Sequence, residues 1–163
     1  MHLAFYAILF TFLGWAVWTD LRSRLIPNRI PLAVVLLFFL AAWSGVVDGI
    51  WMHLAVFAAV LAVSVALFAL GILGGGDAKL IPAVSLWAGS DRLVPFLVVM
   101  TLTGGLLALL LLVRRRLSEA SSDAHAGSVP YAVAIAAGAI AIVSEPVVNA
   151  FPASFLEILR SGA

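Results

Sequence analysis

Long apolar runs alternate with short polar stretches along this chain. The apolar runs cover residues 2–19, 31–47, 50–73, 80–89, 93–113 and 129–148. A helix that crosses a bilayer needs about 20 predominantly apolar residues, and all the runs except 80–89 approach that length. The short run must take in Ala78 and Lys79, tilt, or lie where the membrane is thin. The pattern therefore predicts an all-α, polytopic integral membrane protein with six transmembrane helices.

The distribution of basic residues predicts the orientation of these helices. Along an alternating path, seven of the nine Lys and Arg residues fall on one side of the membrane, and Arg92 and Arg160 fall on the other. Because Lys and Arg favour the cytoplasmic side, both termini are expected outside and the polar loop 114–128 inside. The seven are Arg22, Arg24, Arg29, Lys79, Arg114, Arg115 and Arg116.

Composition supports a membrane protein and excludes several kinds of site. Of the 163 residues, 64% are hydrophobic and 10% are charged, against about 25% charged residues in a soluble domain. The whole chain, 1–163, is therefore expected to form a single transmembrane domain. A net charge of +1 gives no reason to expect nucleic acid as a partner.

No metal site or cofactor is expected from the sequence. The absence of cysteine excludes disulfides, thiolate metal sites and a cysteine nucleophile. His2, His53 and His125 lie far apart in the predicted topology, so they do not make a metal site together.

Only two of the eight acidic residues can meet at the cytoplasmic border of this topology. Asp20 ends the first span, and Asp77 follows the third span directly after Gly74, Gly75 and Gly76. Consecutive glycines let the backbone bend and let another helix approach closely. Two carboxylates a few ångströms apart share one proton. The ionised one can then take a proton from water while the protonated one polarises a carbonyl, as in aspartic proteases, without a metal or cofactor.

Three blocks of residues resemble the type IV prepilin peptidase family. The residues from Gly74 to Leu80 resemble its GxGDxK signature, and Asp20 with Ile26-Pro27-Asn28 resembles a second block. Residues 129–138 resemble a third block, found near the end of the short members that serve tight-adherence (Flp) pili. The resemblance implies that Asp20 and Asp77 are the catalytic pair. Positions that shape the site or lie near substrate are then expected at Gly74, Gly75, Gly76, Lys79, Pro27 and Asn28.

The same resemblance implies an activity and a place in the cell. Members of this family are aspartic endopeptidases of the bacterial inner membrane that remove the short basic leader of prepilins or pseudopilins on the cytoplasmic side. The expected partners are therefore a prepilin helix and membrane lipids. Longer members carry a cysteine-rich insertion between the first two spans and also N-methylate the new pilin terminus. Here that loop has about ten residues and no cysteine, so the resemblance implies peptidase activity without the methyltransferase.

The residues alone leave other interpretations open. Asp20 and Asp77 are also compatible with a small proton-coupled transporter or a pilus-assembly scaffold, although the halves of the chain do not resemble each other as inverted repeats do. Either aspartate can cap a helix end, and Lys79 can be a border lysine that snorkels to the interface. The arginines are expected mainly to anchor the protein to anionic lipids. None is assigned to substrate binding, because they would repel a basic leader.

Overall fold

The computed structural model describes residues 2–117 and 130–143, and all regular secondary structure in this part of the chain is helical. The all-α class is therefore confirmed. The end of the sixth apolar run, beyond residue 143, lies outside the described residues, as does most of the loop 114–128. The described residues form five helices, α1 (His2–Ser23), α2 (Arg29–Trp43), α3 (Ile50–Ala69), α4 (Asp77–Leu117) and α5 (Tyr131–Val143).

Two helices extend further than the apolar pattern predicts. The first span was predicted to end at residue 19, but α1 continues to Ser23, whose Oγ donates a hydrogen bond of 2.8 Å to Thr19 O. Asp20, expected at the end of the first span, therefore lies inside the last turn of α1. Similarly, α4 runs to Leu117, so the loop predicted from residue 114 begins as helix. Arginine has a high helix propensity, which allows the run of arginines to continue the apolar helix.

Helix α4 consists of two helical segments joined at Gly89. The backbone of Gly89 (φ 59°, ψ −165°) is not helical and lies in a region open essentially to glycine alone. A Cβ atom there would lie 2.7 Å from the ring of His53, whose Nδ1 donates a hydrogen bond of 2.7 Å to Leu86 O. The gap between the fourth and fifth apolar runs predicts a turn at residues 90–92. That position is wrong by one residue, because residues 90–92 are helical and the break lies at Gly89.

Neighbouring helical segments run antiparallel. The start of α5 lies against Gly104, and the last turn of α5 accepts a hydrogen bond from Arg92. The end of α3 lies against Gly75. Asp20 accepts a hydrogen bond from the start of α5 and lines a cavity together with Gly75. The end of α1, the end of α3, the start of α4 and the start of α5 therefore lie at the same end of the bundle. The chain therefore reverses direction at Gly89, and the two segments of α4 correspond to the fourth and fifth predicted helices.

An aromatic cluster packs α1, α2 and α4 together in the half of the bundle away from this cavity. Trp87 Nε1 donates a hydrogen bond of 3.1 Å to Val34 O. The Trp87 ring lies 5.7 Å from that of Phe38 and 6.0 Å from that of Tyr6. On the other side of α4, a Cβ atom at Gly138 would lie 2.8 Å from a backbone oxygen, so α5 packs directly on the backbone of α4.

Large apolar side chains cover the outside of the bundle. Trp43 and Trp51, for example, are 93% and 80% exposed. Such an extensive apolar surface is unusual in water and typical of a protein surrounded by lipid. Within residues 2–117 and 130–143, three helical stretches are long and apolar enough to cross a membrane, and two shorter helices are also apolar. The three are Leu3–Ser23, Ile50–Ala69 and Asp77–Arg114, and the shorter ones are Arg29–Trp43 and Tyr131–Val143. Six crossings and outer termini stay predictions.

Candidate active site

Asp20 is buried in the last turn of α1, with 7% of its surface exposed. Its Oδ2 accepts a hydrogen bond of 3.1 Å from the backbone N–H of Ala132, which is 112 residues away in the sequence. Ala132 is the second residue of α5, and the first N–H groups of a helix have no partner within the helix. A carboxylate there also faces the positive end of the helix dipole. The N-terminus of α5 therefore holds Asp20 in place.

Asp77 is the first residue of α4, directly after the three glycines. Gly74 O accepts a hydrogen bond of 2.9 Å from Ala78 N–H, and Gly76 O accepts one of 3.0 Å from Leu80 N–H, so the glycine stretch forms the entry to the helix. Asp77 Oδ1 is buried and has no hydrogen-bond partner among the described residues. A buried polar oxygen in that state is free to accept a proton or a hydrogen bond from a bound molecule.

Each of the three glycines stands where a side chain would collide or crowd a neighbour. A Cβ atom at Gly74 would lie 2.8 Å from Asp77 Oδ2. At Gly75 it would lie 3.2 Å from an aromatic ring of α3, and at Gly76 it would lie 2.9 Å from Ile26 Cβ. The glycines thus allow α3, α4 and the loop after α1 to approach one another around the carboxylate of Asp77.

Asp20 and Asp77 line one cavity of about 220 Å³. A water molecule occupies about 30 Å³ in the liquid, so the cavity has room for a water and a peptide group. The two acids that the topology predicts to meet are therefore brought to the same cavity from α1 and α4. The described residues contain no group of three His, Cys, Asp or Glu side chains that could hold a metal ion. The other lining residues are Arg24, Leu25, Ile26, Gly74, Gly75 and Gly76.

The remaining predicted site residues, Lys79, Asn28 and Pro27, do not line the cavity. Lys79 Nζ donates a hydrogen bond of 2.9 Å to Asn28 Oδ1 in an exposed position. Pro27 O accepts a hydrogen bond of 3.0 Å from Ile30 N–H at the start of α2. These contacts connect the loop before α2 to the first turn of α4, so they position the cavity wall rather than forming its lining.

Arg24 lines the cavity as well, although the sequence assigned it to lipid anchoring. It follows the last residue of α1 directly, and its N–H donates a hydrogen bond of 3.0 Å to Asp20 O, so the end of the helix holds it close to Asp20. The sequence alone does not show that α1 continues to Ser23. Arg22, in contrast, lies exposed, with its guanidinium carbon 5.6 Å from the centre of the Trp18 ring.

Comparison with known proteins shows the family to which the chain belongs. The chain matches the type IV leader peptidase family over residues 7–109, which is more than half of its length. The matched region contains Asp20, Asp77 and the glycine stretch, whereas the block at 129–138 lies beyond it. Searches among curated proteins and among solved structures give no match. With its apolar helical bundle, this membrane-embedded protein therefore belongs to the type IV leader peptidase family.

Proposed function

We propose that this protein is an aspartic endopeptidase that removes the short basic leader from prepilins or pseudopilins at the cytoplasmic border of the bacterial inner membrane. One observation carries the proposal: Asp20 at the end of α1 and Asp77 at the start of α4 line the same cavity. In a member of a leader peptidase family, two such carboxylates can supply both the acid and the base that peptide hydrolysis requires.

The proposed reaction is hydrolysis by an activated water. The ionised carboxylate takes a proton from water, the water oxygen adds to the carbonyl carbon, and the protonated carboxyl gives its proton to the carbonyl oxygen. The C–N bond of this tetrahedral intermediate then breaks. The leaving nitrogen takes the proton gained from water, and the other carboxylate recovers a proton from a hydroxyl of the intermediate. The pair ends with one shared proton, as it began, so the cycle needs no metal or cofactor.

The cavity wall suits a substrate that is itself embedded in the membrane. Leu25 lines the cavity and is 70% exposed, and Ile26 beside it is partly buried, so one side of the opening is apolar. We propose that the hydrophobic stem of a prepilin enters laterally between helices and that its leader junction unwinds to reach the two carboxylates.

The short loop between α1 and α2 favours a peptidase of the tight-adherence type. Only residues 24–28 separate the two helices, and the chain has no cysteine. The cysteine-rich insertion of the longer relatives therefore has no counterpart here, and we do not extend the proposal to N-methylation.

Leader cleavage of a co-expressed prepilin tests this proposal. The variants are Asp20→Asn and Asp77→Asn, with Asp48→Asn as a matched control because Asp48 is exposed in the turn between α2 and α3. Both site variants are expected to insert normally and to leave the leader attached, since an amide cannot exchange the proton. The control is expected to cleave like the wild type.

Cleavage at a near wild-type rate by either site variant would contradict the proposal. The transporter or scaffold interpretation would then replace it, because those roles do not require proton exchange with a bound water at both positions.

A further inference from the structure

We infer that Arg24 is a catalytic residue whose guanidinium donates a hydrogen bond to the carbonyl oxygen of the peptide bond that is cut. This inference rests on the proposed function and adds a third side chain to the two carboxylates. It assigns Arg24 a role separate from that of Arg22, which lies two residues earlier in the last turn of α1.

The backbone of Arg24 adopts a conformation that favours glycine. Its φ of 55° is positive, and it is the one non-glycine residue with a positive φ in residues 2–117 and 130–143. Its N–H donates a hydrogen bond of 3.0 Å to Asp20 O, so it ends α1 in the left-handed position that glycine usually occupies. Arg24 therefore carries a long cationic side chain at a position whose backbone conformation favours glycine.

Arg24 is one of the residues that line the cavity between Asp20 and Asp77. Its Nη1 is buried and has no hydrogen-bond acceptor in the part of the chain that the structure describes. A buried polar group without a partner is costly, and a charged one more so. Asp77 Oδ1 is in the same state, so two residues that line the cavity each carry a buried polar atom without a partner among the described residues, one a donor and the other an acceptor.

A peptide main chain complements this pair of atoms. Each residue of an extended substrate offers one carbonyl acceptor and one N–H donor. The carbonyl oxygen under attack gains negative charge as water adds, so it benefits most from a cationic donor. Arg24 then supplies a second donor to that oxygen, beside the protonated carboxyl of the catalytic pair.

Arg22 provides a matched control for the charge of Arg24. It carries the same charge two residues earlier and is exposed, stacked over Trp18. Removal of either arginine takes one positive charge from the same side of the membrane, so effects on orientation should be equal. Only the replacement of Arg24 removes a donor from a residue that lines the cavity.

The test measures kcat and KM of the purified protein in detergent micelles with a prepilin as substrate. For Arg24→Gln we expect kcat to fall about 100-fold with little change in KM, because the lost contact strengthens as charge develops. Arg24→Lys should recover part of this loss, and Arg22→Gln should match the wild type. Arg24→Gly should lose as much kcat as Arg24→Gln while its unfolding temperature stays level or rises, because glycine relieves the backbone.

A kcat for Arg24→Gln equal to that of Arg22→Gln would overturn the inference. A change confined to KM, or a lower unfolding temperature for Arg24→Gly, would overturn it too, in favour of ground-state binding or a structural role. Asp20→Asn and Asp77→Asn belong in the same assay. If they are inactive and Arg24→Gln is active, only the role of Arg24 fails, whereas their activity would defeat the proposed function itself.

Discussion

The carboxylate of Asp77 keeps its position only because Gly74 has no side chain. A Cβ atom at Gly74 would lie 2.8 Å from Asp77 Oδ2, closer than real Cβ atoms approach other heavy atoms. The tip of the Asp77 side chain can move, whereas the backbone is held by hydrogen bonds at the entry to α4. An added methyl group should therefore displace the carboxylate and leave the fold intact.

Gly74→Ala is accordingly expected to insert into the membrane and to unfold at the same temperature as the wild type. Its rate of leader cleavage should fall by at least about tenfold, because a small displacement of the Asp77 carboxylate from the reacting position slows the reaction strongly. The measurements are the cleavage rate and the unfolding temperature in detergent. Gly105→Ala is the control, because a Cβ atom there meets nothing within 4 Å. Full activity in Gly74→Ala would show that the carboxylate position is not critical.

Sequence reasoning reached the two acids but missed Arg24, for a physical reason. Asp20 and Asp77 stand out because acids at the ends of apolar runs are rare, and the topology places them at one border. Arg24 resembles the other basic residues of its loop until α1 is known to reach Ser23. The hydrogen bond from Ala132 to Asp20 spans 112 residues, and no local pattern predicts such a contact.

Among the helical elements, α4 depends most on a single residue. The apolar pattern predicts two helices in this region but places the turn at residues 90–92, because those residues are polar. The actual break at Gly89 depends on its backbone conformation and on the ring of His53 from α3. Polarity indicates that a turn is near, whereas the packing of another helix decides its position.

Gly89→Ala should therefore destabilise the protein by about 1–3 kcal/mol, the usual cost of a side chain in such a conformation. Thermal unfolding in detergent measures the effect. Gly89→Ala with His53→Ala should recover only part of it, because the contact is relieved and the backbone strain is not. Gly105→Ala is again the control, because it adds the same methyl group to α4 where a Cβ atom meets nothing within 4 Å. It measures the effect of a Gly-to-Ala change without a contact or a strained backbone. An unchanged unfolding temperature in Gly89→Ala would contradict the account of the break.

The molecule as a whole is an antiparallel bundle with its cavity toward one end. The lengths of the apolar runs predict its all-helical character, and composition predicts that it is embedded in a membrane, because so few charged residues cannot cover a soluble domain. The second segment of α4 continues from Gly104, at the level of the cavity, for about 15 Å to Arg114. That extension carries exposed leucines such as Leu106 and Leu110. The number of membrane crossings is set by the lipid as well as the chain, so it needs a direct test.

Single cysteines can test the predicted orientation, because the chain has none of its own. Ser44→Cys lies after α2 on the predicted outer side, and Arg116→Cys lies at the opposite end. A thiol reagent that does not cross membranes should label Ser44→Cys in intact cells and should label Arg116→Cys only after permeabilisation. Equal labelling of both in intact cells, or the reverse order, would contradict the topology.

The most direct test of the central claim is single-turnover cleavage of a purified prepilin by the purified protein and its Asp20→Asn, Asp77→Asn and doubly substituted forms. If the two carboxylates act as one unit, each single change should lower the rate by at least about 100-fold. The double change should then lower it little further, because residues that act together lose their effect together. A single variant that cleaves within about tenfold of the wild type would contradict the claim.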